Sequence, residues 1–286
     1  MRLSAPELHA RAEAARARYA RCDLCAHRCF VDRTRGPAGK CGEGDGLWLA
    51  GAGLHFGEEP ELVGEGGSGL ILVGGCNLAC ETCETHELSL ERRGLVATSP
   101  AQLAALLLDL ELRGAENANF VTPTHVMPAL LEGLAVARAH GFDLPVVWNC
   151  GGFESLEALR LLDGVVDLYL PDAKYAGEAA AFELSGCRGY PAALRESLAE
   201  MHRQTRVIVR HLVLPGGAAG DVMPLIAGVS RELVVNVMSQ YRPVFHAARF
   251  PLLARGAEEN EVRATVAAAR AAGLAHVLVD GRPAPV

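Results

Sequence analysis

Residues 68–83 read SGLILVGGCNLACETC: an apolar run, two glycines, then three cysteines within eight residues. The run from Ser68 to Gly75 has the length and composition of a buried strand ending at the cysteine loop. Three thiolates at the spacing CxxxCxxC are one short of the four that close a tetrahedral zinc site or fully ligate an iron–sulfur cubane. An incomplete set predicts an iron left open to bind something else. The competing reading is a zinc site that borrows His86 as its fourth ligand.

Downstream of the triplet the pattern becomes regular. Ser99 and Gln102 form a capping box that opens a helix over 101–114. Strands are predicted at 117–123, 145–149, 166–171, 206–215, 233–239 and 276–281, with helices over 128–141, 155–164, 190–204, 222–232 and 259–273 between them. Strands alternating with helices imply parallel βα units. The expected fold is therefore α/β, a partial (β/α)6 TIM-type barrel of parallel strands with a small N-terminal cysteine-rich cap. An open doubly wound sheet is the alternative. Residues 1–66 are expected to form the cap, opened by a helix that Ser4 and Glu7 box, and residues 67–286 the barrel. The glycine-rich GEGGSG at 64–69 is the expected hinge between them.

Bulk properties exclude several classes. The 286-residue chain carries a net charge of −7, against the basic stripe expected of a phosphate-backbone binder, so no nucleic-acid partner is expected. No apolar run reaches about 18 residues and no signal peptide is evident, so a cytoplasmic protein without a membrane partner is expected. In a reducing compartment the clustering of seven of the nine cysteines points to metal rather than disulfides. Cys150 and Cys187 stand alone and are read as small buried hydrophobes.

Active sites of barrels gather on the loops that follow the strands. Four strand ends here are unusually polar: CNLACETC, TPTH, NCGGFES and PDAKY. A fifth strand places Arg210 and His211 among apolar neighbours, which is costly unless they have partners or a task. The simplest partner for Arg210 is Asp172, in a buried ion pair.

The triplet after its strand, together with GGCNL, resembles the radical S-adenosylmethionine (radical SAM) superfamily. NFVTPTH, the GGF turn, VDLYLPDAKY and VRHLVLPG extend the similarity to the pyruvate formate-lyase activating enzyme-like family over nearly the whole chain. The resemblance implies that Cys76, Cys80 and Cys83 hold a 4Fe–4S cluster whose fourth iron chelates S-adenosylmethionine, giving a radical that abstracts hydrogen from a substrate. Thr122, Thr124 and His125 stand where the superfamily binds the methionine amine. Asn149, Gly151 and Gly152 match the turn that approaches the nucleoside. Asp172 and Lys174 match the activating enzymes' D-x-K, with Lys174 or Arg210 meeting the methionine carboxylate; Lys174, Asp172 and Arg210 are the expected catalytic set.

The resemblance further implies a reduced flavodoxin- or ferredoxin-type electron donor and a hydrogen donor that is either a glycyl radical enzyme or a small molecule or other macromolecule. Thr82 replaces an aromatic that commonly packs on adenine. Glu84 and His86, beside the last cysteine, are candidates to orient a polar substrate or to tune the cluster. Glu58 and Glu59 are candidates for substrate contact or a salt bridge to the barrel.

Upstream, Cys22, Cys25, Cys29 and Cys41 form a second set. Four cysteines suffice for a four-thiolate zinc site that staples the segment to the barrel, or for an auxiliary iron–sulfur cluster. A zinc-binding structural or interaction module would explain this box alone, and leaves the triplet and the polar strand ends without purpose.

Overall fold

A computed structural model describes residues 2–285. Helix α1 (Ala5–Ala17) starts at the predicted cap, where the Ser4 backbone N–H donates to Glu7 Oε2 at 2.7 Å. Its buried residues Leu8, Ala12 and Ala15 recur at helical spacing, so one stripe faces inward. The next elements are β1 (Trp48–His55), α2 (Pro60–Val63), β2 (Ser68–Val73), α3 (His86–Ser89), β3 (Val96–Ala97) and α4 (Pro100–Leu112), the last capped by Ser99 and Gln102 as expected. Five strand–helix passages follow: β4 (Ala118–Val121) and α5 (Met127–Ala139), β5 (Val146–Cys150) and α6 (Leu156–Leu161), then β6 (Leu168–Pro171) with α7 (Glu178–Ser185) and α8 (Tyr190–Gln204). The chain ends with β7 (Arg206–Leu212), α9 (Met223–Ala227), β8 (Val234–Met238), α10 (Glu259–Ala271), β9 (His276–Val279) and β10 (Arg282–Pro283).

The described strands form one sheet in the order β10-β9-β8-β7-β6-β5-β4-β2-β1-β3. All pairs from β2 to β9 are parallel; β1, β3 and β10 add antiparallel edges. The protein is thus α/β with a mostly parallel sheet. The parallel strands follow chain order without reversing, so the sheet lacks the switch point of a doubly wound fold.

Strand β1 was not anticipated, because Gly51 and Gly53 interrupt its apolar pattern. It lies within residues 1–66 yet pairs with β2 in the main sheet. One apolar core also runs from Leu8 through Leu274, and α1 packs on α5. The stretch at 64–69 is a packed turn rather than a slack hinge. Glu116 Oε1 accepts from the backbone N–H groups of Glu65 and Gly66, and a Cβ on Gly66 would fall 1.7 Å from the Gly114 carbonyl oxygen.

Alternation along the strands sorts the two faces. Val147, Leu168, Leu170 and Ile208 form a small cluster closed by Leu62 of α2, while Trp148, Tyr169 and Val209 enter the main core. Asn149, Asp172 and Arg210 lie two residues beyond Val147, Leu170 and Ile208. Period-2 geometry therefore carries them onto the small-cluster side at the strands' C-terminal ends.

Candidate functional site

Parallel pairing brings the C-terminal ends of β2, β4, β5, β6, β7 and β8 to one edge of the sheet, where ligand sites of α/β folds collect. A cavity of about 300 Å³ opens there. Cys76, Cys80 and Cys83 line it together with Thr122, Asn149, Gly151, Asp172, Lys174 and Arg210. Residues read from five separate strand ends therefore meet in one place.

Charge in the cavity is organised around Asp172. Its Oδ2 accepts from Lys174 Nζ at 2.8 Å and its Oδ1 from Arg210 Nε at 3.0 Å. Arg210 also donates to Glu58 Oε2 at 3.1 Å and to Asn149 Oδ1 at 2.5 Å. Burial alone would raise the Asp172 pKa, but Lys174 and Arg210 outweigh it and hold the carboxyl below its ordinary range. Burial likewise opposes the Lys174 charge, and Asp172 reverses that, so the ammonium stays protonated. Glu58, raised by burial against the pull of Arg210, thus belongs to a salt bridge. Glu59 Oε1 accepts from Asn236, and its Oε2 has no partner.

Each sulfur of the triplet meets a hydrogen-bonding group. The Leu78 N–H donates to Cys76 Sγ at 3.3 Å, and the Ser185 hydroxyl donates to Cys80 Sγ at 3.0 Å. The Ser89 hydroxyl lies 3.2 Å from Cys83 Sγ. Burial pushes the Cys76 thiol up to about 12, so a cation is needed to hold its thiolate near neutral pH. Donors aimed at two of the sulfurs, and a thiol that ionises only when a cation binds it, fit an iron–sulfur cluster.

Several contributors were not legible in the sequence. Ser185 lies about a hundred residues from Cys80 in the chain and ends α7, a helix absent from the predicted pattern. Tyr190 OH accepts from the Lys174 N–H at 2.9 Å and donates toward the carbonyls of Gly151 and Asp172, pinning two strand ends together. The Ser185 hydroxyl is itself bonded to Tyr175 OH at 2.6 Å. No sequence motif marks these contacts.

Three expected cofactor contacts lie elsewhere. Thr122 lines the cavity in a left-handed conformation (φ 55°). The chain then turns, so Thr124 is buried and accepts from Trp148 Nε1. His125 is buried against the N-terminal box, its Nε2 bonded to the Gly74 carbonyl at 2.9 Å. Burial lowers its pKa to about 4, so it is neutral. Gly152 does not line the cavity. It is left-handed (φ 71°), and a Cβ there would meet the Asp172 carbonyl at 2.7 Å, so packing explains this glycine. Glu84 and Thr82 line the cavity. His86 does not line the cavity; its Nδ1 bonds the Cys83 carbonyl and its ring stacks on Phe245.

Cys22, Cys25, Cys29 and Cys41 line a second, small cavity of about 10 Å³ with Arg33 and His125. Among the described residues, no group of three or more His, Cys, Asp or Glu side chains is disposed to hold a single metal ion. A cubane places each thiolate on its own iron, so its donors need not converge on one point. Between the two sites the Glu154 carboxylate is buried with neither oxygen in a well-formed hydrogen bond, and burial, opposed by the nearby Thr124, Cys150 and Asn77, raises its pKa to about 7. Cys150 and Cys187 are buried, as small hydrophobes are.

No protein-family model matches the chain. It is 30% identical over 266 residues to the uncharacterized protein MJ0674 of Methanocaldococcus jannaschii, covering 89% of this chain and 76% of that protein. The chain belongs to that protein's family. The alignment spans most of both chains, so it takes in the strand ends that build the cavity and not one motif alone. No helix among the described residues is long and apolar enough to cross a membrane.

Proposed function

We propose that the chain is a radical SAM enzyme whose sheet winds as a partial (β/α)6 barrel around a 4Fe–4S cluster on Cys76, Cys80 and Cys83. The observation that carries this reading is the meeting of three thiols with the Asp172–Lys174–Arg210 network in one cavity of about 300 Å³. Once bound, the cluster supplies the electron that cleaves S-adenosylmethionine to methionine and a 5′-deoxyadenosyl radical, and the radical removes a hydrogen atom from a substrate. That electron comes from a reduced flavodoxin- or ferredoxin-type donor.

The chain's own residues bind and orient. The Leu78 N–H and the Ser185 hydroxyl donate to the sulfurs of Cys76 and Cys80 and would offset charge there. Lys174 commits one of its three donors to Asp172 and keeps two for the methionine carboxylate. Arg210 is occupied by Asp172, Glu58 and Asn149, so it positions Asp172 and leaves carboxylate binding to Lys174. The Asn149 carboxamide, the Gly151 backbone and the Thr122 hydroxyl line the same wall and suit the ribose and ammonium groups. The hydrogen donor is either a glycyl radical enzyme or a smaller substrate entering over Thr82 and Glu84.

The test is anaerobic reconstitution with iron and sulfide, followed by dithionite and S-adenosylmethionine and chromatography of the products. Methionine and 5′-deoxyadenosine in equal amounts are expected. Neither product from strictly anaerobic, iron-loaded protein would sink the reading.

A further inference from the structure

Arg33 is a side chain the catalytic reading does not use. It is 1% exposed, and its guanidinium lies 4.2 Å over the Tyr19 ring. Nε and Nη2 donate to the carbonyls of Glu43 and Gly44, Nη1 donates to the His125 carbonyl at 2.6 Å, and Cys22 Sγ is 3.7 Å from Nη1. No carboxylate among the described residues forms an ion pair with it. Asp32, its neighbour in sequence, accepts from Thr34 instead, and the buried Glu43, which feels the Arg33 charge, pairs directly with Arg92. Carbonyl oxygens satisfy the donors but carry no net charge, and a buried cation without a counter-charge is strongly destabilising.

The groups able to carry a counter-charge are next to it. Arg33 lines the same small cavity as Cys22, Cys25, Cys29 and Cys41, with Lys40 at its rim. Four thiolates on an oxidised four-iron cluster carry two net negative charges, as do four thiolates drawn together onto a divalent ion. Either occupant supplies a counter-charge beyond the Glu43 carboxylate, whose direct partner is Arg92. The box is also stitched to the triplet on both sides of Cys76. Arg33 holds the His125 carbonyl and His125 Nε2 bonds the Gly74 carbonyl. His27, between Cys25 and Cys29, donates through Nε2 to the Asn77 carbonyl at 2.8 Å.

We infer that Arg33 is the internal counter-cation of a thiolate–metal centre on Cys22, Cys25, Cys29 and Cys41, and that this centre fixes the loop carrying Cys76. The inference rests on the preceding reading only in treating the triplet as a cluster site. Arg33 is a positioning residue, acting through charge and through His125.

The experiment uses the full chain with Cys76, Cys80 and Cys83 changed to Ala, so that any tightly bound metal belongs to the box. Zinc, iron and sulfide are counted, and the retained metal is titrated against a chelator. About one zinc, or about four irons with sulfide, supports the inference and identifies the occupant. Arg33→Met is expected to weaken retention at least about tenfold, the usual cost of losing an outer-shell partner, while Arg33→Lys restores most of it. Thermal melts add a sign test: Arg33→Met lowers Tm in the metal-loaded protein and leaves it unchanged or raised in the stripped protein. In the intact chain Arg33→Met also reduces iron at the triplet. No metal at the box, or equal retention and equal melting shifts with and without metal, would overturn the inference. These readouts do not involve 5′-deoxyadenosine, so the catalytic reading can fail separately.

Discussion

The chain holds two cysteine sites of opposite character. Around the triplet, sulfurs face a cavity of about 300 Å³ walled by Asp172, Lys174 and Arg210. Around the N-terminal box, sulfurs close on an interior whose one buried cation, Arg33, is held by backbone carbonyls. The triplet has three thiols and room for a further ligand; the box has four thiols and walls. The same side chain thus stands in a roomy polar cavity in one place and a small cavity in the other, and the difference lies in the surroundings.

The largest expected effect that could break this comparison is Cys80→Ala. It should remove about four irons per chain and abolish 5′-deoxyadenosine formation while box metal remains, as read by metal analysis and product chromatography. Cys22→Ala should act mainly on folding, lowering Tm while the triplet still binds iron. If the two substitutions gave the same phenotype, the division would be wrong.

Next in size is Arg210→Met, which leaves Asp172 and Glu58 short of a partner in a buried setting. Removing one side of such a network costs about 3–5 kcal/mol; denaturant unfolding checks it. Arg210→Lys should recover only part, since one ammonium cannot span Asp172, Glu58 and Asn149 as the guanidinium does.

Glu154, between the sites, yields a pH effect. Its folded pKa is raised by burial to about 7, so the folded state binds a proton more tightly than the unfolded chain. That contribution is complete below the ordinary glutamate range and is lost as pH rises toward about 7 and beyond. Glu154→Gln should therefore leave the melting temperature at about pH 5 nearly unchanged and raise it at about pH 8, flattening the pH profile of Tm. The smallest effect expected is that of Ser185→Ala, which removes a hydrogen bond to Cys80 Sγ and should shift the triplet's reduction potential slightly negative.

Much of this was legible in the sequence where a local rule applied. Apolar runs and capping boxes marked β2, α1 and α4, and a charged residue in an apolar strand marked Arg210 and its pairing with Asp172. Local rules failed where contacts cross the chain. The bond of Ser185 to Cys80 depends on how distant elements dock, as does the choice of Arg210 as partner in the salt bridge expected of Glu58. Thr124 and His125 were misplaced because the left-handed turn at Thr122 reverses which side the following residues face. Strand β1 was missed because its glycines hide an edge strand that only pairing with β2 reveals.

The central claim is that the triplet, and not the box, presents an open iron to S-adenosylmethionine beside Lys174. Electron paramagnetic resonance of the reduced, reconstituted protein tests it most directly. The account predicts a cluster signal that changes on adding S-adenosylmethionine, that loses this response in Lys174→Met, and that disappears in Cys80→Ala. A signal indifferent to S-adenosylmethionine, or one whose response survives in Cys80→Ala, would contradict it.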